Sequence, residues 1–422
     1  MVGDESLQRH KSNSETLPAI PNERLIKIVL ATTIAASAFT IQIFLPALPA
    51  VQAAFDVTAS QVQLTISLPL LVTALATLIY GPLSDRFGRR PALVGGMIIF
   101  FAGTVLCLFA NSIVTLVLGR FIQALGSAAG VVIARAAVRD LYGRERAAAV
   151  LAGLIAVMVV APMIAPTLGG FLVDGFGWRG NIGATVIFAG ILLALIVFGM
   201  PETHKAETGV SFGLGSMLAS FKILLSAPAY RAYAFQSAFM ISIFYVFLAA
   251  APYAVMTVMD VSATSYGLYF LLSTIGYLSG TLIATRYSER VGIDPMIRIG
   301  TLLAIVTTAI VVAFLAFGVW HPLAIFLPIT ILGTANGMAL PNSNAGAISV
   351  YPELAGTASG LTSFIQLGIA ALFAQASGSW QNGTPFPLAI FMLCAALLAW
   401  TAFTYSKYEE RSAAVGATDG PA

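Results

Sequence analysis

Asp85-Arg86-Phe87-Gly88-Arg89-Arg90-Pro91 and Glu289-Arg290-Val291-Gly292-Ile293-Asp294-Pro295 carry acid, Arg, Gly and Pro in the same order, 204 residues apart. Each is a short polar turn between two long apolar runs, and each occupies the same place in one half of the chain. A bilayer crossing needs about 20 mostly apolar residues. Counting outward from the two turns gives twelve such runs, at 25–45, 61–82, 91–110, 114–136, 147–172, 178–200, 230–255, 264–286, 296–318, 322–343, 356–378 and 385–406. The longest internal polar stretch, 201–228, divides them six and six. The expected architecture is an all-α polytopic membrane protein built as a parallel duplication, with a pathway between two six-helix bundles. Its parts are a tail over 1–24, bundles over 25–200 and 230–406, an inter-bundle loop over 201–229 and a second tail over 407–422.

Composition excludes the other classes. The 422 residues are 58% hydrophobic and 9% charged, with a mean hydropathy of +0.90, against about 25% charge in a soluble domain. Disorder needs low hydrophobicity and high charge density. A net charge of +3 with no basic block gives no nucleic-acid footprint. Residues 1–22 do not read as a removable signal peptide, and Cys107 and Cys394 sit in apolar runs where no disulfide framework is indicated. Of the 21 Lys and Arg, 19 fall on one side of the twelve-span topology, with Arg179 opposite and Arg120 within a span. The positive-inside rule then puts both termini in the cytoplasm, and the expected location is a bacterial inner membrane.

Three stretches carry candidate function. In Gly81-Pro82-Leu83-Ser84-Asp85-Arg86-Phe87-Gly88-Arg89-Arg90, Gly88 permits a tight turn. Asp85, steadied by the arginines, is expected at the positive N-terminus of a helix in the opposite half, a contact made in one gate state and broken in the other. In the fourth span, Arg120, Gln123, Ser127 and Gly130 share one helical face. An arginine there costs at least about 2.5–3.5 kcal/mol unless it meets a wet cavity or a partner. In the fifth span Pro162, Pro166, Gly169 and Gly170 combine a kink with small residues that admit close helix approach. Gln236, Phe239, Phe244 and Tyr245 in span seven, Tyr266, Tyr269, Phe270 and Tyr277 around span eight, Asn336 in span ten, and Phe364 and Gln366 in span eleven are expected to line an amphipathic pocket. Gln42, hydrogen-bonded to Arg120, is expected in the same cavity with Gln123 and Pro162.

The loop after span two resembles the G-x-L-a-D-R-x-G-R-[KR] motif of the major facilitator superfamily, and Ala165 to Gly170 resembles the G-P-x-x-G-G element of drug exporters within it. With Phe44-Leu45-Pro46, Gly119 to Gly126, Arg135 to Asp140, Gly177-Trp178-Arg179 and Leu340-Pro341-Asn342, the chain is similar to the Bcr/CflA group of drug:proton antiporters. That resemblance implies a secondary active exporter of small amphipathic compounds working by alternating access, with the proton as coupling ion, no cofactor, no metal and a monomeric state. One position departs from the group. Its members carry an acid ahead of the tyrosine-leucine-proline element, where this chain has Gln42, and an amide does not titrate near neutral pH. Three alternatives stand: a span-end carboxylate such as Asp56 couples protons, the protein is an uncoupled facilitator, or a charged substrate supplies the driving force. A metabolite uptake carrier of the same fold also remains open. A membrane enzyme finds no support, since no span holds a metal-ligand cluster or a Cys/His pair.

Overall fold

The computed structural model describes residues 22–203 and 214–418, and every regular element among them is helical. The first passage, Glu23–Phe55, contains a 3-10 turn at Leu45–Ala47. Pro46 supplies no N–H to the preceding turn, which tightens the helix there. Ala59–Phe87 and Arg89–Leu108 follow, and then a continuous helical assignment over Ile113–Gly199. A straight helix of its 87 residues would be about 130 Å long, far beyond any bilayer. It doubles back instead. Asn181 Nδ2 lies 3.3 Å from the Gly169 carbonyl although 12 residues separate them, and Gly177 between them takes a φ of 71°. The run therefore makes the fourth, fifth and sixth passages.

The second half repeats the scheme with Pro228–Val258, Ala263–Val291, Ile293–Ala316, Pro322–Ser349, Pro352–Ser379 and Phe386–Glu410. Eleven segments among the described residues are long and apolar enough to cross a bilayer. The twelfth passage is the fifth in order, whose beginning falls where most side chains over 143–162 lie outside the described set. Two features differ from the expectation. The inter-bundle stretch holds a helix, Leu214–Ser226, and the last helix runs on to Thr418. Leu218 and Ile223 on the linker helix are exposed while Leu224 is fully buried, the two-sided character of a helix lying along an interface.

The duplication is legible in backbone torsions. Gly88 and Gly292 share one left-handed conformation, φ 93° and ψ 154° against φ 92° and ψ 160°, each donating to a serine carbonyl four residues earlier. At the other end of the same helices Asp56 and Asp260 both take positive φ, 50° and 54°. Thr58 and Ser262 then cap the helices that follow. All these pairs keep the spacing seen in the sequence.

The hydrogen bonds between the two bundles gather at one end, although spans two and eleven also pack farther along, where Leu78 comes close to Gly360. Among the described residues, every hydrogen bond between the halves lies toward the end opposite the arginine-bearing turns, here termed the far end. Ser60 Oγ is 3.0 Å from Ser379 Oγ, and Ser67 donates to Gln375 at 2.6 Å. Gln375 donates to Ser60, Thr167 donates to the Gly267 carbonyl at 2.7 Å, and Asp174 accepts from the Thr264 amide at 2.8 Å. The first two contacts join spans two and eleven; the others include the seam of spans five and eight.

Candidate functional site: the cavity between the bundles

A cavity of about 200 Å³ lies between the halves. The first half contributes Ala38, Gln42 and Met163, and spans seven, eight and ten supply the rest, including Phe244, Tyr245, Thr274, Tyr277 and Asn336. Among the described residues, no charged side chain lines it. Its polar groups are amides, hydroxyls and phenols on an aromatic and aliphatic wall, the composition of a site for small amphipathic molecules. Two of the amides are incompletely used. Gln42 and Asn336 are 8% and 4% exposed, and neither Gln42 Oε1 nor Asn336 Oδ1 has a hydrogen-bond partner. Thr274 Oγ1 on the same wall is also unpartnered. Buried polar atoms ordinarily find partners, so these three supply unspent hydrogen-bonding capacity from both bundles.

Of the residues expected to form this pocket, the structure brings together Gln42, Phe244, Tyr245, Phe270, Tyr277 and Asn336. It places the other described ones elsewhere. Arg120 and Gln123 lie inside the first bundle beside a much smaller polar recess with Ser37, Thr40 and Ser127. The Arg120 guanidinium donates to the Thr65 carbonyl at 3.2 Å, the Thr40 carbonyl at 3.4 Å and Gln123 Oε1 at 2.6 Å, and stands 4.7 Å over the Phe44 ring. Gln123 passes the connection to Thr104 at 2.8 Å. One charge therefore ties spans one to four together through neutral acceptors. The expected hydrogen bond from Arg120 to Gln42 is not made, because backbone carbonyls of spans one and two take the guanidinium instead.

Gln236 is a tie of the second bundle. It is fully buried, donates to Thr301 at 2.8 Å and accepts from Ser343. Gln366 bridges Ser237 and Asn344 at 2.9 and 2.8 Å. Phe239 packs edge-on against Phe373, and Tyr269 stacks on Phe326 with ring centroids 5.4 Å apart. None of these four lines the cavity.

The fifth-span glycines serve two close approaches. A Cβ on Gly169 would overlap the Ile43 carbonyl of span one, and a Cβ on Gly170 would lie 2.9 Å from Thr264 Cα of span eight. Pro166 faces Gly267 of the same span; the side chain of Pro162 lies outside the described set. Asn181, which sequence reasoning passed over, donates to the Ile43 carbonyl at 2.6 Å and fastens span six to the bend of span one. Its only sequence signal was an amide within an apolar run.

The arginine-end motif engages its own bundle in this state. Arg89 pairs with Asp85 and, at 2.9 Å, with Asp140, and donates to Ser84 at 2.7 Å. Glu202 accepts from the backbone amides of Arg89 and Arg90, capping span three, and Arg90 donates to the Val197 carbonyl. Arg86 rests over Phe87, and Gly81 meets no neighbour where a Cβ would stand. The expected contact of Asp85 with a helix end of the opposite half is not made here, since Arg89 holds the carboxylate.

The sequence matches the Major Facilitator Superfamily over residues 30–375. Among curated proteins it is 26% identical to the bicyclomycin resistance protein homolog of Haemophilus influenzae, over 87% of this chain and 92% of that one. It is 28% identical to multidrug resistance protein D of Escherichia coli, over 81% and 85%. Against the chloramphenicol resistance protein of Pseudomonas aeruginosa it is 28% identical over 74% of each. Among solved structures, a D-xylose-proton symporter superposes with a TM-score of 0.72 at 15% identity, covering 89% of this chain and 97% of that one. With twelve passages in two repeated bundles, and relatives of the Bcr/CflA type, the chain belongs to the Major Facilitator Superfamily and is a transporter rather than an enzyme.

Proposed function

We propose that the protein exports small, uncharged or weakly charged amphipathic compounds by alternating access, as a monomer in a bacterial inner membrane with both termini cytoplasmic. The observation that carries this reading is the charge-free, aromatic cavity with amides from both bundles. The drug-resistance names of its relatives support export as the direction. With the far end closed and the termini on the cytoplasmic side, this arrangement is the inward-facing half of the proposed cycle. No cofactor or metal is needed for that cycle; the proton is the natural coupling ion, and its carrier is a residue other than Gln42.

The absence of a carboxylate among the described residues of the cavity wall favours one second reading, an uncoupled facilitator of the same fold. A single experiment separates the two. Accumulation of bicyclomycin, chloramphenicol and a neutral fluorescent amphiphile is followed in a pump-deficient bacterial host, with this chain and with Gln42→Asp, before and after a protonophore. A coupled exporter lowers accumulation below equilibrium until the protonophore is added. A facilitator only speeds equilibration, and restoration of uphill export by Gln42→Asp identifies position 42 as the missing coupling site. Unchanged accumulation for every compound and both variants overturns the exporter reading.

A further inference from the structure

We infer that Asp174 is a charged latch that holds the far end closed by capping, across the bundle interface, the N-terminus of span eight. The helix Ala263–Val291 begins after Ser262, so the amides of its first turn have no carbonyl partner within the helix. Ser262 Oγ accepts from Ser265 N at 3.2 Å, and the Asp174 carboxylate takes Thr264 N at 2.8 Å. Asp174 stands in the turn between spans five and six of the first bundle; the helix it caps belongs to the second. A carboxylate at that position meets both an unpaired N–H and the positive end of the helix dipole.

Independent packing evidence places this contact on the moving interface. Immediately before Asp174, Gly170 lies against Ala263 and Thr264, and Thr167 donates to the Gly267 carbonyl. The seam cannot open without withdrawing Asp174 from Thr264.

The duplication supplies an internal comparison. Ser60 is the counterpart of Thr264 in the register that pairs Gly88 with Gly292 and Asp56 with Asp260. Its helix, Ala59–Phe87, is capped from within its own segment by a Thr58–Gln61 capping box. The cross-bundle partners at Ser60 are the neutral groups of Gln375 and Ser379. Of the two equivalent far-end seams, among the described residues, only the one between spans five and eight places a charged side chain in a hydrogen bond to a helix end across the bundles. That asymmetry singles out Asp174 as a positioning residue for alternating access, beyond the direction and substrate class proposed above.

The test reads conformation and does not depend on a transported compound, so it succeeds or fails separately from the exporter reading. In a background with Cys107→Ala and Cys394→Ala, Thr274→Cys places a thiol on the cavity wall. Its labelling by a membrane-impermeant maleimide is timed from each face of oriented vesicles. Asp174→Asn, Asp174→Ala and Asp174→Lys are expected to raise the far-face rate in that order, with Ala about two- to fivefold above the parent, the range of a carboxylate at an exposed helix terminus. The Asp-to-Lys difference narrows in 1 M salt. Equal far-face rates across the series, or a Lys variant no faster than Asn, overturn the proposal. Should a variant fail to fold, Asp174→Cys with Thr264→Cys provides the second arm: oxidation is expected to stop far-face labelling of position 274, and a crosslinked protein that still labels from that face overturns the latch.

Discussion

Arg120 shows how a full charge is kept within a membrane bundle without an opposite charge beside it. Its guanidinium is 3% exposed and spreads over two backbone carbonyls, one amide oxygen and an aromatic face. Hydrogen bonds to charged groups contribute about 1.5–3 kcal/mol each, and an abandoned buried partner adds its own cost. Arg120→Leu is therefore expected to lose about 3 kcal/mol or more of stability in mixed micelles, measured by chemical denaturation. Arg120→Lys should recover little of it, because a point charge cannot reach acceptors on separate helices. Asn336 should behave oppositely. Asn336→Leu removes an unpartnered amide oxygen from the cavity, so folding stability holds or rises. Export of an uncharged hydroxylated aromatic is expected to need about tenfold more compound for half-saturation, close to 1.4 kcal/mol, read in the accumulation assay. The sequence put Arg120 within a span and facing the central cavity, whereas the structure sets it inside the first bundle beside a small recess. Its partners were hidden, because backbone carbonyls of Thr40 and Thr65 leave no residue-type signature. The same limit hid Asn181, and it allowed Gln236 and Gln366 to pass for cavity residues when they tie helices together.

At the scale of the helix, hydropathy measured the bilayer rather than the element. The second span was bounded at 61–82 by its apolar run, while the helix continues from Ala59 to Phe87, because helical hydrogen bonding extends past the hydrocarbon edge. The helix Leu214–Ser226 was missed for the related reason that a short amphipathic stretch in a polar linker falls below the length of a crossing. The fifth-span motif was read correctly as a place of close approach, but not that its adjacent glycines face different bundles. That arrangement makes a direct prediction. Gly169→Ala puts a methyl onto the Ile43 carbonyl and is expected to cut the yield of monodisperse protein several-fold by size-exclusion chromatography. Gly175→Ala, with nothing within 4 Å of the new methyl, should leave yield and profile unchanged. Equal yields would mean that span five shifts freely against span one.

The whole molecule is closed at one end by hydrogen-bonded seams and, among the described residues, carries no such bond between bundles at the other. Alternating access then requires those seams to part. Ser60→Cys with Ser379→Cys, whose hydroxyl oxygens stand 3.0 Å apart, is expected to crosslink on oxidation, reduce export to the vector level and release it on reduction; export unaffected by complete crosslinking would exclude seam opening from the cycle. The two-bundle plan was legible in the repeated turn because charge order and proline spacing survive where packing residues have drifted. What survived further is geometry. Asp56 matches Asp260 and Gly88 matches Gly292 to within a few degrees of φ, although the helices between them share few side chains. Common ancestry is thus recorded more durably in torsion angles than in letters, and the hairpin corners of one bundle are interchangeable parts for the other: a chimera carrying 258–262 in place of 54–58 inherits a backbone already bent to fit.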